Sequence, residues 1–492
     1  MIDTEQEIIA FLSDGASFGE PGAAVTRIDT HCSIAFLLRD RAYKLKRPIA
    51  FSALDYRTVE QRHAACRAEL ELNRRTAPEL YLGMYSICRK TDGALAFDAG
   101  GEVVDWVVVM RRFDQADRFD SIAEAGGLGP DLIARLADEI ADFHRKAEPQ
   151  LEMGGAAGLR NVIERNHADQ ATVETILSRE AIDSLREASL NALATHERKL
   201  DRRREAGHVR RCHGDLRLAN ICLINDRPTL FDAIEFAEEL SSIDVLFDLA
   251  FLLVDLLERK MPFAACVLLN SYLDATCDDE DLAVLPLMMA IRMGTRAFTL
   301  AAASCRRAEE AEARRLRSEA QAHVTLAISL LAKQRPRLVA LGGLKSGPKS
   351  MLARSLSVVL APVGSVRVLS TEPIRKKLLD MPPHARPRHT AYGPQVTEQV
   401  YAAMTAKARR LLGGGTTVIV DADFYRPDHR HAIARAASAV SVPFSGLWAE
   451  ETESQDSLRD APEWRKIPAP ALLTDPLALA RSIADAIACS LA

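Results

Sequence analysis

"HGDLRLANICLINDRPTLFDAIEF", residues 213–236, is the stretch on which the reading of the whole chain turns. Two short β-rich runs, "ICLI" and "PTLF", flank the turn-forming "NDRP", a pattern that predicts a β-hairpin. A hairpin returns its second strand beside the first, so Asn220 at the open end of one strand comes near Asp232 at the open end of the other. Asp215 lies just before the first strand. The stretch therefore gathers a carboxylate, an amide oxygen and a second carboxylate at one end of a hairpin. Magnesium prefers such a site, with few protein oxygens and the remainder from phosphate and water.

Phosphoryl transfer from ATP needs a carboxylate to orient the attacking hydroxyl and oxygen ligands that hold magnesium against the phosphates. Asp215 and Asn220 have the separation found in the kinase catalytic loop H-R-D-x-x-x-x-N, and Asp232 takes the part of the D-F-G aspartate although the sequence reads D-A-I. Downstream, "SSIDVLFDLAFLLVDLL" places Asp244 and Asp248 one turn apart on a helical face. Asp244 suits a helix start. Asp248, inside an apolar run, needs a polar partner, and the backbone of the 213–220 loop is the nearest candidate.

A chain of 492 residues with 48% hydrophobic content is long enough for two or three domains. A formal charge of −5 supplies no basic footprint for nucleic acid, so small-molecule partners are expected. Nine cysteines are scattered without a C-x-x-C pair, which suits a reducing compartment. The opening "MIDTEQEIIAFLSDG" carries acids where a signal peptide is basic. The apolar "VLFDLAFLLVDLL" is broken by Asp248 and Asp255 and reads as a buried helix, not a membrane span. The expected location is the cytoplasm.

Strand-like runs fill residues 27–112, around one helical segment from about Thr58 to Arg75. Helical periodicity dominates 113–333, apart from the hairpin. After the proline-bearing "AKQRPR" come "RLVALGG", "SVRVLS", "TTVIVDAD" and "PFSGLWAE", separated by helical segments, the pattern of a parallel, doubly wound sheet. The reading is an α/β multidomain protein with segments 1–112, 113–333 and 334–492.

Together with "YKLKRP", "AELELNRRTAPELYLG" and "VVVMRRF", the central stretch resembles the aminoglycoside phosphotransferase-like kinases, in particular a bacterial subgroup with a second, P-loop kinase-like domain. The resemblance implies a bilobed protein-kinase-like fold on the N-terminal side, ATP and Mg2+, and transfer to a small-molecule hydroxyl. It implies Asp215 as catalytic base, Asn220 and Asp232 as metal ligands, and a phosphate-binding lysine in "RAYKLK". Lys44 and Lys46 share a strand face, and the "AYK" spacing, like that of V-A-I-K, favours Lys44. The partner glutamate is Glu69 or Glu71, which point about 200° apart on a helix; Glu69, the first acid of "ELELNRR", is preferred. Backbone from Met110 through Arg112 to Phe113 is the expected adenine hinge. Thr30, His31 and Ser33 stand where a glycine-rich phosphate cover belongs. Arg292 and Arg296 could face an anionic substrate, and Glu235, Glu238 and Glu239 a cationic one.

The other motif is "GGLKSGPKS", residues 342–350, close to G-x-x-x-x-G-K-[ST] but with Pro348 in place of the second glycine. Lys349 would reach phosphates, Ser350 magnesium, and Asp421 or Asp423 would be a second magnesium carboxylate. Pro348 removes a backbone N–H from the cradle. Ser346 replaces a usual glycine, and Thr371 stands where the resembling kinases carry an aspartate for the acceptor. This segment reads as a degenerate P-loop domain, with the chemistry in the N-terminal part. The alternative is a nucleotide-binding scaffold without turnover.

Overall fold

The computed structural model describes residues 4–30, 32–51, 54–307, 309–343, 347–382, 385–450, 464–468 and 475–489. Its fold is mixed α/β, with an antiparallel sheet near the N-terminus, a helical middle and a parallel sheet toward the C-terminus. Contacts group the chain into two units. The first comprises Met1–Leu128, Asp142–Gly154 and Gly207–Asp248, and the second Gly129–Ala141, Gly155–Ala206 and Leu249–Ala492.

In the first unit, α1 (Thr4–Ser13) precedes strands β1 (Thr26–Asp29), β2 (Ser33–Leu38) and β3 (Arg41–Lys46). The small ladder β4 (Ala50–Phe51) and β5 (Leu54–Asp55) leads to α2 (Val59–Asn73), then β6 (Tyr81–Arg89), β7 (Leu95–Phe97) and β8 (Glu102–Arg111). The six-stranded sheet has the order β1-β2-β3-β8-β6-β7 and is antiparallel throughout. Side chains alternate across it. Tyr43 and Leu45 join Ile8, Leu12, Val107 and Val109 in the core beneath α1. Lys44 and Lys46 consequently take the other face, where Val108 and Met110 meet Cys66 of α2. A capping box between Thr58 and Gln61 starts α2, and Arg62 ties it to Asp105 of β8 at 2.8 Å, both side chains buried.

After α3 (Phe119–Glu124) come the helices α4 (Pro130–Lys146), α5 (Gly155–Ala171) and α6 (Arg179–Glu205), followed by β9 (Val209–Arg211). The hairpin is then present as β10 (Ile221–Ile224) and β11 (Arg227–Leu230), with Ile221 opposite Leu230. Its turn is tighter than "NDRP" suggested. Asn225 and Asp226 alone make it, at φ 51° and 63°, values these residue types tolerate, while Pro228 lies within β11 opposite Leu223. Next come α7 (Glu238–Ser241), β12 (Ser242–Asp244), antiparallel to β9, and α8 (Val245–Glu258).

The second unit holds α9 (Pro262–Thr276), α10 (Leu285–Ser304) and α11 (Glu310–Leu331). The segment Leu282–Ser304 is long and apolar enough to cross a membrane, but 67% of its apolar window is buried within the protein. It packs as a core helix against α11 and α5. Arg292 of α10 is buried over the Phe251 ring, 3.9 Å from its centroid, and Arg296 pairs with Glu258 at 3.2 Å. Both cations, which could have faced an anionic substrate, are thus engaged in helix packing.

The parallel sheet follows: β13 (Leu338–Gly343), α12 (Gly347–Val359), β14 (Val366–Ser370), α13 (Thr371–Leu378), α14 (Pro394–Gly413), β15 (Thr417–Asp421), α15 (Pro427–Ser438), β16 (Phe444–Glu450), β17 (Trp464–Pro468) and α16 (Pro476–Cys489). Strand order is β14-β15-β13-β16-β17, every pair parallel. Val339, Leu341 and Ile419 share one core with Leu352 and Leu356 of α12 and Ala480 and Ile487 of α16.

Candidate functional site

One buried carboxylate organises the first unit. Glu69 of α2 is fully buried, its Oε1 accepting from Lys44 Nζ at 2.8 Å and its Oε2 from Lys46 Nζ at 2.5 Å. The sequence posed a choice between the two lysines; the structure gives both to the same acid. Glu71 lies on the exposed side of α2 beside Arg67. Lys44 also donates to Asp232 Oδ1 at 2.5 Å, and Lys46 to Glu235. Burial alone would lower the lysines and raise the acids. Instead, Asp232 and Glu69 hold Lys44, and Glu235 and Glu69 hold Lys46, well above the ordinary lysine value. Burial likewise acts to raise Glu69 and Asp232, but Lys44 keeps both below the ordinary carboxylate range.

The 213–220 loop is fixed from below by Asp248. This fully buried carboxylate accepts from the N–H groups of His213 (3.1 Å) and Gly214 (2.9 Å), the partner its apolar setting demanded, and it also meets His144 Nε2 at 3.1 Å. Gly214 sits at φ 83°, and a Cβ there would lie 3.0 Å from the Leu240 carbonyl oxygen, so the turn needs glycine. Asp244 accepts from the Leu246 N–H at 2.8 Å, as a residue at a helix start does. Above them, Asn220 Nδ2 donates to Asp215 Oδ2 and to the Asp215 carbonyl, both at 2.9 Å. Arg217 forks onto both Asp215 oxygens at 2.8 Å. Burial pushes the Asp215 carboxyl up, but Arg217 holds it below its usual value.

Asp232 is brought in by the hairpin. Phe231 N–H donates to the Asn220 carbonyl at 3.0 Å, and the Phe231 carbonyl meets His213 Nε2 at 2.8 Å. Asn220 Oδ1 and Asp232 Oδ2 carry no partner among the described residues. Two free hard oxygens beside a lysine paired with a glutamate fit a magnesium-bound polyphosphate.

Other expected positions are placed differently. Met110 sits inside the ladder, opposite Ala42 and Tyr81. Arg111 and Arg112 N–H groups donate to the Leu80 and Asp40 carbonyls, and the Arg112 side chain is exposed. Within the expected hinge, Met110 to Phe113, strand pairing and these two bonds already use the N–H groups of Arg111 and Arg112. Thr30 and Ser33 close the β1–β2 turn on each other, Ser33 N–H donating to Thr30 Oγ1 at 3.0 Å; His31 lies outside the described residues. Glu235 is taken by Lys46 and Tyr56, which removes it from the acids open to a cationic substrate. Glu238 and Glu239 remain exposed.

In the second unit, Lys349 is buried and turned onto the end of β15. Its Nζ donates to the Ala422 carbonyl at 2.7 Å and lies 3.6 Å from Asp421 and 3.4 Å from Asp423. Ser350 Oγ donates to Asp421 at 2.5 Å. Pro348 is the second residue of α12, where a helix N–H has no intrahelical acceptor, so the helix loses no bond. Thr371 opens α13; Ser346 lies outside the described residues.

Three anchors of the site had little voice in the sequence. Tyr81 hydroxyl accepts from Asp232 N–H at 3.1 Å, Asn73 Oδ1 from Ala233 N–H at 2.8 Å, and Arg217 covers Asp215. Only Asn73 carried a signal, lying one helical turn after Glu69.

Residues 338–459 match the AAA domain family. An uncharacterized protein of Mycobacterium tuberculosis is 29% identical over 431 residues, 83% of this chain and 80% of that protein. Similar solved structures include a choline/ethanolamine kinase family protein from Mesorhizobium loti, at 14% identity and TM-score 0.39, covering 67% of this chain and 99% of that one. An aminoglycoside phosphotransferase from Alicyclobacillus acidocaldarius shows 16% identity and TM-score 0.37, covering 62% and 90%.

Proposed function

We propose that the protein is an ATP- and Mg2+-dependent phosphotransferase acting on the hydroxyl of a small molecule, with its chemistry at Asp215. The observation that carries this is the convergence of Lys44, Glu69 and Asp232 with the loop bearing Asp215 and Asn220. In this reading residues 1–112 and 113–333 are the two lobes of a kinase-like domain, and 334–492 is a P-loop-type domain that does not perform the transfer. Its scattered cysteines favour a reducing compartment, the cytoplasm.

Asp215, ionised at neutral pH, orients the acceptor hydroxyl and takes its proton as the oxygen attacks the γ-phosphorus and the bond to the β-phosphate oxygen breaks. Lys44, paired with Glu69, meets the phosphate oxygens. Asn220 and Asp232 would hold magnesium, which neutralises charge on the phosphates when bound. The second reading, nucleotide binding without turnover, is favoured by one feature: Arg217 occupies both Asp215 oxygens.

Labelled ATP incubated with the purified protein and pools of metabolites and antibiotics tests this. Wild type should transfer label to at least one hydroxyl compound, and Asp215→Ala should not. Equal background from both proteins would exclude catalysis at Asp215. Label transfer that survives Asp215→Ala but is lost in Lys349→Ala would move the chemistry to the second unit.

A further inference from the structure

We infer that Lys46 and Glu235 are positioning residues, holding Asp232 where a nucleotide-bound magnesium would meet it although neither touches the nucleotide. The inference rests on the phosphotransferase reading. Asp232 has φ 62°, the left-handed region, where a residue with a side chain persists only if its surroundings over-determine it. Here four consecutive residues are each pinned by a different part of the fold. Asp232 N–H donates to Tyr81 of β6, Ala233 N–H to Asn73 of α2, and Ile234 N–H to the His213 carbonyl at 2.9 Å. The Glu235 carboxylate accepts from Lys46 of β3 and, at 2.6 Å, from the Tyr56 hydroxyl.

The first three anchors are neutral hydrogen bonds; the fourth is an ion pair. It closes a circuit: Lys44 to Glu69, Glu69 to Lys46, Lys46 to Glu235, then along the backbone to Asp232 and back to Lys44. The two lysines differ in exposure. The Lys44 side chain is 18% exposed, whereas that of Lys46 is 1% exposed with two of its three donors on carboxylates. When Lys44 turns to phosphate it releases Asp232, and the Lys46–Glu235 pair is then the charged hold that remains. Glu235 thus belongs to the metal end of the site, not to the recognition of a cationic acceptor.

The test is ADP binding by calorimetry, with and without Mg2+, on the full chain carrying Lys349→Ala so that the second unit contributes no nucleotide signal. The parent protein should bind ADP more tightly with Mg2+, and Asp232→Asn should remove that gain. Glu235→Gln, nearly isosteric, should cut the Mg2+ gain about tenfold while leaving Mg2+-free affinity within about twofold, the size expected for loss of one charge-assisted bond. Lys46→Arg should keep part of the gain, and Tyr56→Phe most of it. A Glu235→Gln protein with an undiminished Mg2+ gain, or with both affinities lowered equally, overturns the inference. A parent protein whose ADP binding is absent or indifferent to Mg2+ overturns the phosphotransferase reading itself, and this inference with it.

Discussion

The two clusters that the sequence marked for nucleotide are built in opposite ways. In the first unit two lysines share one buried carboxylate, with Asp232 and Glu235 completing the set. In the second, one lysine lies between two carboxylates, Asp421 and Asp423, and donates to a carbonyl besides. The difference teaches where each fold carries its stability. Glu69 is a hub whose loss takes one of two carboxylate partners from Lys44 and from Lys46 at once, on a face shared by β3 and α2. Lys349 ends a helix-to-strand contact in which Asp421 keeps Ser350 and the Asp423 side chain is 43% exposed to water, so its loss leaves neither acid both buried and unpaired.

Glu69→Ala should show the largest effect, about 3–5 kcal/mol of stability, because it breaks two ion pairs at once, one of them fully buried. Urea unfolding followed by circular dichroism measures this, and a loss no greater than that of a surface substitution would dissolve the contrast. Arg367 sharpens the comparison inside the second unit. Almost fully buried in β14, it bonds Asp279 at 3.1 Å, Asn270 at 2.9 Å and Asp274, while Lys407 supports Asp279 at 2.7 Å. Arg367→Met should cost about 3 kcal/mol, seen as faster hydrogen exchange in α9 and β14, which would place that unit's stability in this bond set and not in its phosphate-loop lysine.

Asp248→Asn should cost about 1.5–3 kcal/mol by weakening charge-assisted bonds to two backbone N–H groups, and hydrogen exchange should quicken at residues 213–214. Lys349→Met should cost least, about 1 kcal/mol or less, in the same urea assay.

The pH dependence of stability follows from the carboxylates of the first unit. Glu69, Asp232, Asp215 and Asp248 are all depressed in the folded protein. Their contribution is therefore fully present above the unfolded carboxylate values, about 4, and is lost as pH falls through the lower folded values. Urea midpoints should decline below about pH 4.5, and less steeply in Glu69→Gln than in wild type. A wild-type midpoint that rises on acidification would contradict these ion pairs.

Much of this was legible in one dimension. The period-two face of "AYKLK", the hairpin between Asn220 and Asp232, and the need of Asp248 for a polar partner all follow from local geometry. So does the alternation of strands and helices beyond residue 333. Other features were not legible, for reasons of the same physics. Strand spacing shows that Lys44 and Lys46 share a face but not how many carboxylates wait there, since Glu235 arrives from nearly two hundred residues away. Which backbone groups of residues 110–113 are already paired depends on where β3 and β6 stop pairing with β8. The burial of Arg292 was not legible because its partner ring, Phe251, belongs to another helix.

By itself the sequence determined the inventory: which residue types are present, at which spacing, and on which face of a strand or helix each must lie, because backbone periodicity is local. Only the tertiary structure decided their partners. Burial makes an unpaired charge untenable, so the fold had to choose which acid each lysine would hold, and it joined Lys44, Lys46, Glu69, Asp232 and Glu235 into one closed set.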